Sequence, residues 1–202
     1  AGGLPRPTAH RPMTGDLAAS LRYIVDLLEA GGLDYMLVGS VAALAHGRTR
    51  ATQDFDVVVE LNLATVEQLV EALPEDRFYV SMEAARDAVR RETLFNIIDL
   101  TTGWKVDVVP RKKRPFSQTE LARRQRMEVL GVSLCVATLE DTIVSKLEWA
   151  RLSGGSGRQI EDVAELLHLG GEQLDRDYVE RWVAELDLSR EWNRARSNDD
   201  PA

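Results

Sequence analysis

Residues 54–59 read Asp-Phe-Asp-Val-Val-Val, and this run constrains the fold more than any other part of the 202-residue chain. One aromatic and three β-branched residues in six positions predict a buried strand. Strand side chains alternate between faces, so Asp54 and Asp56 share one face, about 6 to 7 Å apart. Two like charges beside a valine core are costly unless a cation lies between them. A divalent metal is the simplest such cation, and oxygen-only ligands select Mg²⁺ or Mn²⁺ over zinc. The competing reading is a solvated strand end, and an isolated Asp-x-Asp does not decide between the two.

Two further segments bear on that choice. Tyr35-Met36-Leu37-Val38 predicts a short strand that Gly39-Ser40 turns into a short helix over Val41–His46. A strand, a Gly-Ser turn and a helix start expose backbone N–H groups to an anion, with Gly39 allowing close approach and Ser40 adding a hydroxyl. Ser40 as a plain N-cap is the bland alternative. Asp107 lies mid-strand in Trp104–Val109, where an aspartate between valines needs a partner. That partner is either a shared metal, if this strand neighbours residues 54–59, or a cation such as Lys105 or Arg111.

Around these segments the chain reads as an α/β (α+β) protein. Helices are expected over Asp16–Ala30, Thr65–Leu73 and Glu83–Arg90, with Thr65 and Gln68 at capping-box spacing. Arg77–Ser81 reads as an edge strand, Leu94–Leu100 and Trp104–Val109 as a hairpin, and Val132–Val136 as one more strand. From Thr138 onward only helices are expected: Thr138–Leu152, Gln159–Leu169, Asp177–Leu186 and a last turn near Trp192, with Gly154–Gly157 as a flexible joint. The implied division is a leader over residues 1–12, a mixed α/β domain over 13–136 and a helical segment over 137–202.

Apolar residues make up 44% and charged residues 29%, and no apolar run reaches the ~20 residues that span a bilayer, so no membrane partner is expected. Cys135 is the only cysteine, which excludes an intramolecular disulfide and fits a reducing cytoplasm. The net charge of −8 argues against a surface that coats nucleic acid generally. Pro110–Met127 departs from that balance, with seven basic residues against Glu120 alone. This window reads either as a solvated basic face or as a contact for polyphosphate or RNA. His10, His46 and His168 lack ligand spacing, and Trp149, Trp182 and Trp192 read as packing residues on helices.

The stretch YMLVGSVAALAHGRTRATQDFDVVVE resembles the signature of the nucleotidyltransferase (DNA polymerase β-like) superfamily: an apolar strand, Gly-Ser, a short helix, then Asp-x-Asp in the next strand. KVDVV around Asp107 is similar to its third-carboxylate motif, and RATQDFD to the Arg-x-Thr-x-Asp-x-Asp form of many small members. LEDTIVSKLEWAR followed by RQIEDVAELL resembles the C-terminal helical motif of the AbiEii-like group, which includes toxins of toxin–antitoxin pairs.

The resemblance implies a nucleotidyltransferase-fold mixed sheet that moves a nucleoside monophosphate from a triphosphate to a hydroxyl of RNA, protein or a small molecule. It implies that Asp54, Asp56 and Asp107 bind Mg²⁺ (or Mn²⁺) and carry the chemistry, with Asp107 activating the acceptor. Gly39, Ser40, Arg50 and Lys146 would hold the nucleotide, and Arg158 and Asp162 are weaker carry-overs. For Lys146 the competing role is a solvated lysine beside Glu148, and for Asp162 a carboxylate favoured by a helix N-terminus. An antitoxin partner is a further implication. The alternative at the level of the whole chain is a silent nucleotide-binding or RNA- or protein-interaction module of the same fold.

Overall fold

The computed structural model describes residues 14–48 and 54–199. The leader expected over 1–12 and the nucleotide contact expected at Arg50 fall outside the described residues. Among the described residues seven strands form one mixed sheet. In chain order they are β1 (Tyr35–Val38), β2 (Asp54–Val59), β3 (Phe78–Val80), β4 (Phe95–Asp99), β5 (Lys105–Pro110), β6 (Gln125–Val129) and β7 (Val132–Val136), and their spatial order is β3-β4-β5-β2-β1-β7-β6. The β2–β5 and β1–β7 pairs are parallel and the others antiparallel.

Alternation along the central strands sorts their side chains by chemistry. Tyr35, Leu37, Phe55, Val57, Val59, Val106 and Val108 point into the main core, which α1 (Thr14–Ala30), α3 (Leu63–Glu71) and α4 (Met82–Arg91) close. The opposite face carries Asp54, Asp56 and Asp107 and only a small apolar cluster of Met36, Val58, Leu121 and Ala137. One face of the sheet thus supplies stability, and the other is left for polar side chains.

The remaining helices are α2 (Gly39–Ala45), α5 (Pro115–Arg123), α6 (Leu139–Leu152), α7 (Gly157–Gly170), α8 (Arg176–Glu185) and α9 (Ser189–Asp199). Helices α6 to α9 bury a second core that includes Leu147, Ile160, Val179, Trp182 and Trp192, and this core also takes Ala43 from α2 and Phe116 from α5.

Several expectations need correcting. Helix α3 starts at Leu63 rather than Thr65: the side chain of Asn62 accepts from the Thr65 amide, and the Thr65 hydroxyl accepts from the Asn62 amide. The capping box is therefore Asn62/Thr65, not Thr65/Gln68. Strand β6 was not foreseen. Its outward Arg126 and Glu128 mask the alternation, and its turn into β7 places Leu130 and Gly131 at positive φ, a conformation leucine seldom signals. Helix α9 has 11 residues where one turn was expected. Helix α6 begins at Leu139 with Thr138 as its N-cap, the Thr138 hydroxyl accepting from the Asp141 amide.

Candidate functional site

Three strands in register assemble the acidic row. Val38 at the end of β1 pairs with Asp56, and Asp56 pairs in turn with Asp107 of β5. Asp54 pairs with Lys105, and Asn96 of β4 pairs with Asp107. Asn96 donates to Asp107 at 2.5 Å, and the Lys105 ammonium lies 3.1 Å from Asp107 and 3.5 Å from Asp54. The cation foreseen for Asp107 is therefore Lys105. Arg111 instead pairs with Glu60.

Asp56 differs from its neighbours. It is half-buried and has no hydrogen bond or ion pair among the described residues. Burial, then the charges of Asp107 and Asp54, push its carboxyl up to about 6. Gly39 sits directly against it: a Cβ built on Gly39 would lie 2.2 Å from Asp56 Oδ2. Gly39 also has φ +62°, so two independent constraints favour glycine there. Helix α2 has only seven residues, so its dipole adds little, and close approach is what the glycine provides.

Lys146 comes from α6 and is almost wholly buried. Its ammonium donates to Asp162 at 2.8 Å and to Gln159 at 3.3 Å. Burial pulls its pKa down, while Asp162 and, more weakly, Asp56 oppose that shift. Asp162 is buried as well and lies 2.5 Å from the Arg48 guanidinium, which also reaches Glu165. Lys146 is thus a buried, aimed cation rather than a solvated partner of Glu148. Asp162 is its anchor rather than a carboxylate at a helix terminus. Arg48 was missed because it reads like any other charge in a basic loop; its partners lie more than a hundred residues along the chain.

A cavity of about 350 Å³ joins these parts. Gly39, Ser40, Asp54, Asp56, Lys146 and Arg158 line it, whereas Asp107 and Asp162 do not. Glu120, the acid within the basic window, lines the cavity too; burial and then Asp141 push it up to about 7. Trp149 lines it with half its surface exposed, which corrects its reading as a packing residue, while Trp182 and Trp192 are buried.

The basic window divides. Arg111, Lys112 and Arg114 line the cavity, with Arg114 paired to Glu148. Arg123 pairs with Glu140 and Asp141, Arg124 with Asp34, and Arg126 with Glu29. Five of the seven positive charges are thus matched within the chain, which weakens the window as a continuous RNA contact.

No protein-family model matches the chain, and neither does any curated protein. Solved structures do. An antigenic nucleotidyltransferase-like protein from Paracoccidioides brasiliensis is similar over 89% of this chain and 93% of its own, with TM-score 0.57 and 18% identity. The antibiotic-resistance factor ANT(2'')-Ia is similar over 93% of this chain and 100% of its own, with TM-score 0.60 and 15% identity. In complex with adenylyl-2''-tobramycin the same factor gives TM-score 0.55 and 17% identity, over 88% and 99%. The chain has the nucleotidyltransferase fold. At these identities the likeness speaks for the fold and not for the acceptor. Within this nucleotidyltransferase fold, no helix among the described residues is long and apolar enough to cross a membrane.

Proposed function

We propose that this chain transfers a nucleoside monophosphate from a triphosphate to a hydroxyl acceptor, with the triphosphate in the cavity between the acidic row and α6. The observation that carries the reading is the seat of Asp56: half-buried, without a hydrogen bond or ion pair among the described residues, and pressed against a glycine whose missing Cβ leaves it room. Two carboxylates on one strand face, of which Asp56 has no ion pair among the described residues, fit a hard divalent cation, so Asp54 and Asp56 would hold Mg²⁺ or Mn²⁺. That ion would supply charge neutralisation at the reacting phosphate. Among the described residues no three His, Cys, Asp or Glu side chains form a ready-made cage, and Lys105 spans Asp54 and Asp107. Asp107 would complete the set only if Lys105 swings aside.

The chain's own groups then divide the work. Gly39 and Ser40 admit the phosphates, and Lys146 and Arg158 face them from the helical side. Arg50 contributes on the strength of the sequence resemblance alone. The acceptor oxygen bonds to the α-phosphorus, the bond to the β-phosphate oxygen breaks, and pyrophosphate leaves. Asp107 takes the acceptor proton, and preorganised charge supplies most of the rate. A small-molecule hydroxyl is one acceptor class, since the similar ANT(2'')-Ia was solved with an adenylylated antibiotic. RNA or protein hydroxyls, and a toxin role with an antitoxin partner, rest on the AbiEii-like sequence motif.

A second reading, a silent nucleotide-binding module, draws on Lys105, which already serves as counter-cation to two of the three carboxylates. Incubation with each α-labelled triphosphate, Mg²⁺ and a cell extract separates the two. Transfer predicts label on an acceptor and pyrophosphate release, both lost in Asp56→Asn. Nucleotide binding with no label and no pyrophosphate under any condition leaves the silent module.

A further inference from the structure

Trp149 is anomalous in this molecule. The chain has four tryptophans: Trp104, Trp182 and Trp192 are each at most 6% exposed, whereas Trp149 is 52% exposed. It is not stranded on an outer surface but lines the cavity, and Leu152, one turn further along α6 and 63% exposed, lines it too. Lys146 precedes Trp149 by one turn, about 4.5 Å along the axis. From Lys146 to Leu152 this side of α6 passes from a cation to a flat apolar surface. Arg158 and Gln159 of α7 and Lys112 of the β5–α5 connection border the same cavity.

An indole and a leucine left open beside cations call for a ligand that is anionic at one end and flat and apolar at the other. A nucleoside triphosphate has that shape, with a polyphosphate for Lys146 and a heterocycle for the indole. Neither an inorganic polyphosphate nor an aliphatic acceptor would cover the ring. The Ile143, Leu147 and Ala150 stripe packs into the helical core without Trp149, so the indole is dispensable to that core and available to a ligand.

Resting on the nucleotidyl-transfer reading, we infer that Trp149, backed by Leu152, is the platform on which the nucleobase stacks.

The experiment uses the full chain with ATP, GTP, CTP and UTP in turn, and with tripolyphosphate, each with Mg²⁺. Binding is read by calorimetry and by tryptophan fluorescence, in which Trp149 is the one exposed emitter. The bound triphosphate should quench emission and tripolyphosphate should not. Trp149→Ala should weaken the nucleotide about 5- to 150-fold, the range for losing one base–aromatic stack. It should leave tripolyphosphate affinity and the melting temperature as they were, and Trp149→Phe should recover most of the loss.

Nucleotide affinity unchanged in Trp149→Ala would overturn the stacking role. So would an equal loss for tripolyphosphate, because the ring would then act through the phosphate site or the fold. In both cases nucleotide still binds the unaltered chain, so the transfer reading survives. Failure of the unaltered chain to bind any of the four triphosphates would overturn both.

Discussion

Gly39→Ala is the sharpest probe of the acidic row because its two effects fall on different observables. The new Cβ would lie 2.2 Å from Asp56 Oδ2 and 3.1 Å from its Cγ. An ordinary non-bonded contact needs about 3.5 Å, so the carboxylate must retreat by roughly 1 Å. A half-buried aspartate can rotate that far, so the clash itself costs little stability. The backbone is less forgiving: alanine at φ +62° costs about 1–2 kcal/mol. For a domain of this size that is a melting temperature lower by about 2 to 8 °C. The displaced carboxylate should matter far more, since a misplacement of about 1 Å at a reacting centre costs roughly 10²-fold. Thermal melts without metal, set beside pyrophosphate release per folded molecule, measure the two separately. A variant that melts several degrees early yet turns over normally would refute the proposed seat of Asp56.

Two further predictions follow from the charges. Asp56 has its pKa raised above the ordinary 3.8 to about 6, so between those values the native state holds a proton that the unfolded state has lost. Metal-free stability should therefore fall as pH rises from about 4 to about 6; Asp56→Asn should flatten that slope and melt higher at neutral pH, as denaturation series across that window would show. In the basic window, Lys112→Ala with Lys113→Ala should flatten the salt dependence of any RNA or polyphosphate binding, whereas Arg124→Ala with Arg126→Ala, whose charges are already paired, should leave the slope unchanged.

Local pattern carried the sheet face to the reader of the sequence, and distant pairing did not. Alternation alone places Asp54 and Asp56 together, and Asp107 joins them because β5 runs parallel to β2 in register. Nothing in the linear order could match Arg114 to Glu148 or Arg124 to Asp34, so a window that reads as seven free charges is mostly spoken for in the fold. Trp149 was legible in principle. It falls off the Ile143, Leu147 and Ala150 stripe, and an aromatic off the buried stripe of a helix is exposed unless another element covers it. Lys105 was also within reach, two residues from Asp107 on the same strand face.

Arg48, Asp162 and Lys146 form a buried chain of alternating charge, and its middle member decides how its last member behaves. Burial lowers the Lys146 pKa, the nearby Arg48 charge lowers it further, and Asp162 raises it. Asp162→Asn should therefore cost stability twice over, by about 3–5 kcal/mol for breaking a buried ion pair, and should lower the Lys146 pKa again. A lysine charged below a depressed pKa loses its attraction for phosphate as pH rises through that value. Triphosphate affinity in the variant should thus fall with increasing pH, while the unaltered chain changes less over the same interval. Calorimetric titrations of ATP with Mg²⁺ from neutral into alkaline pH, below the ordinary lysine value, on samples shown to be folded by circular dichroism, would measure it. Adding Lys146→Met should abolish the pH dependence. A variant whose affinity is lower by the same factor at every pH would mean that Asp162 shapes the cavity without tuning the lysine, and the electrostatic account of this chain would fail.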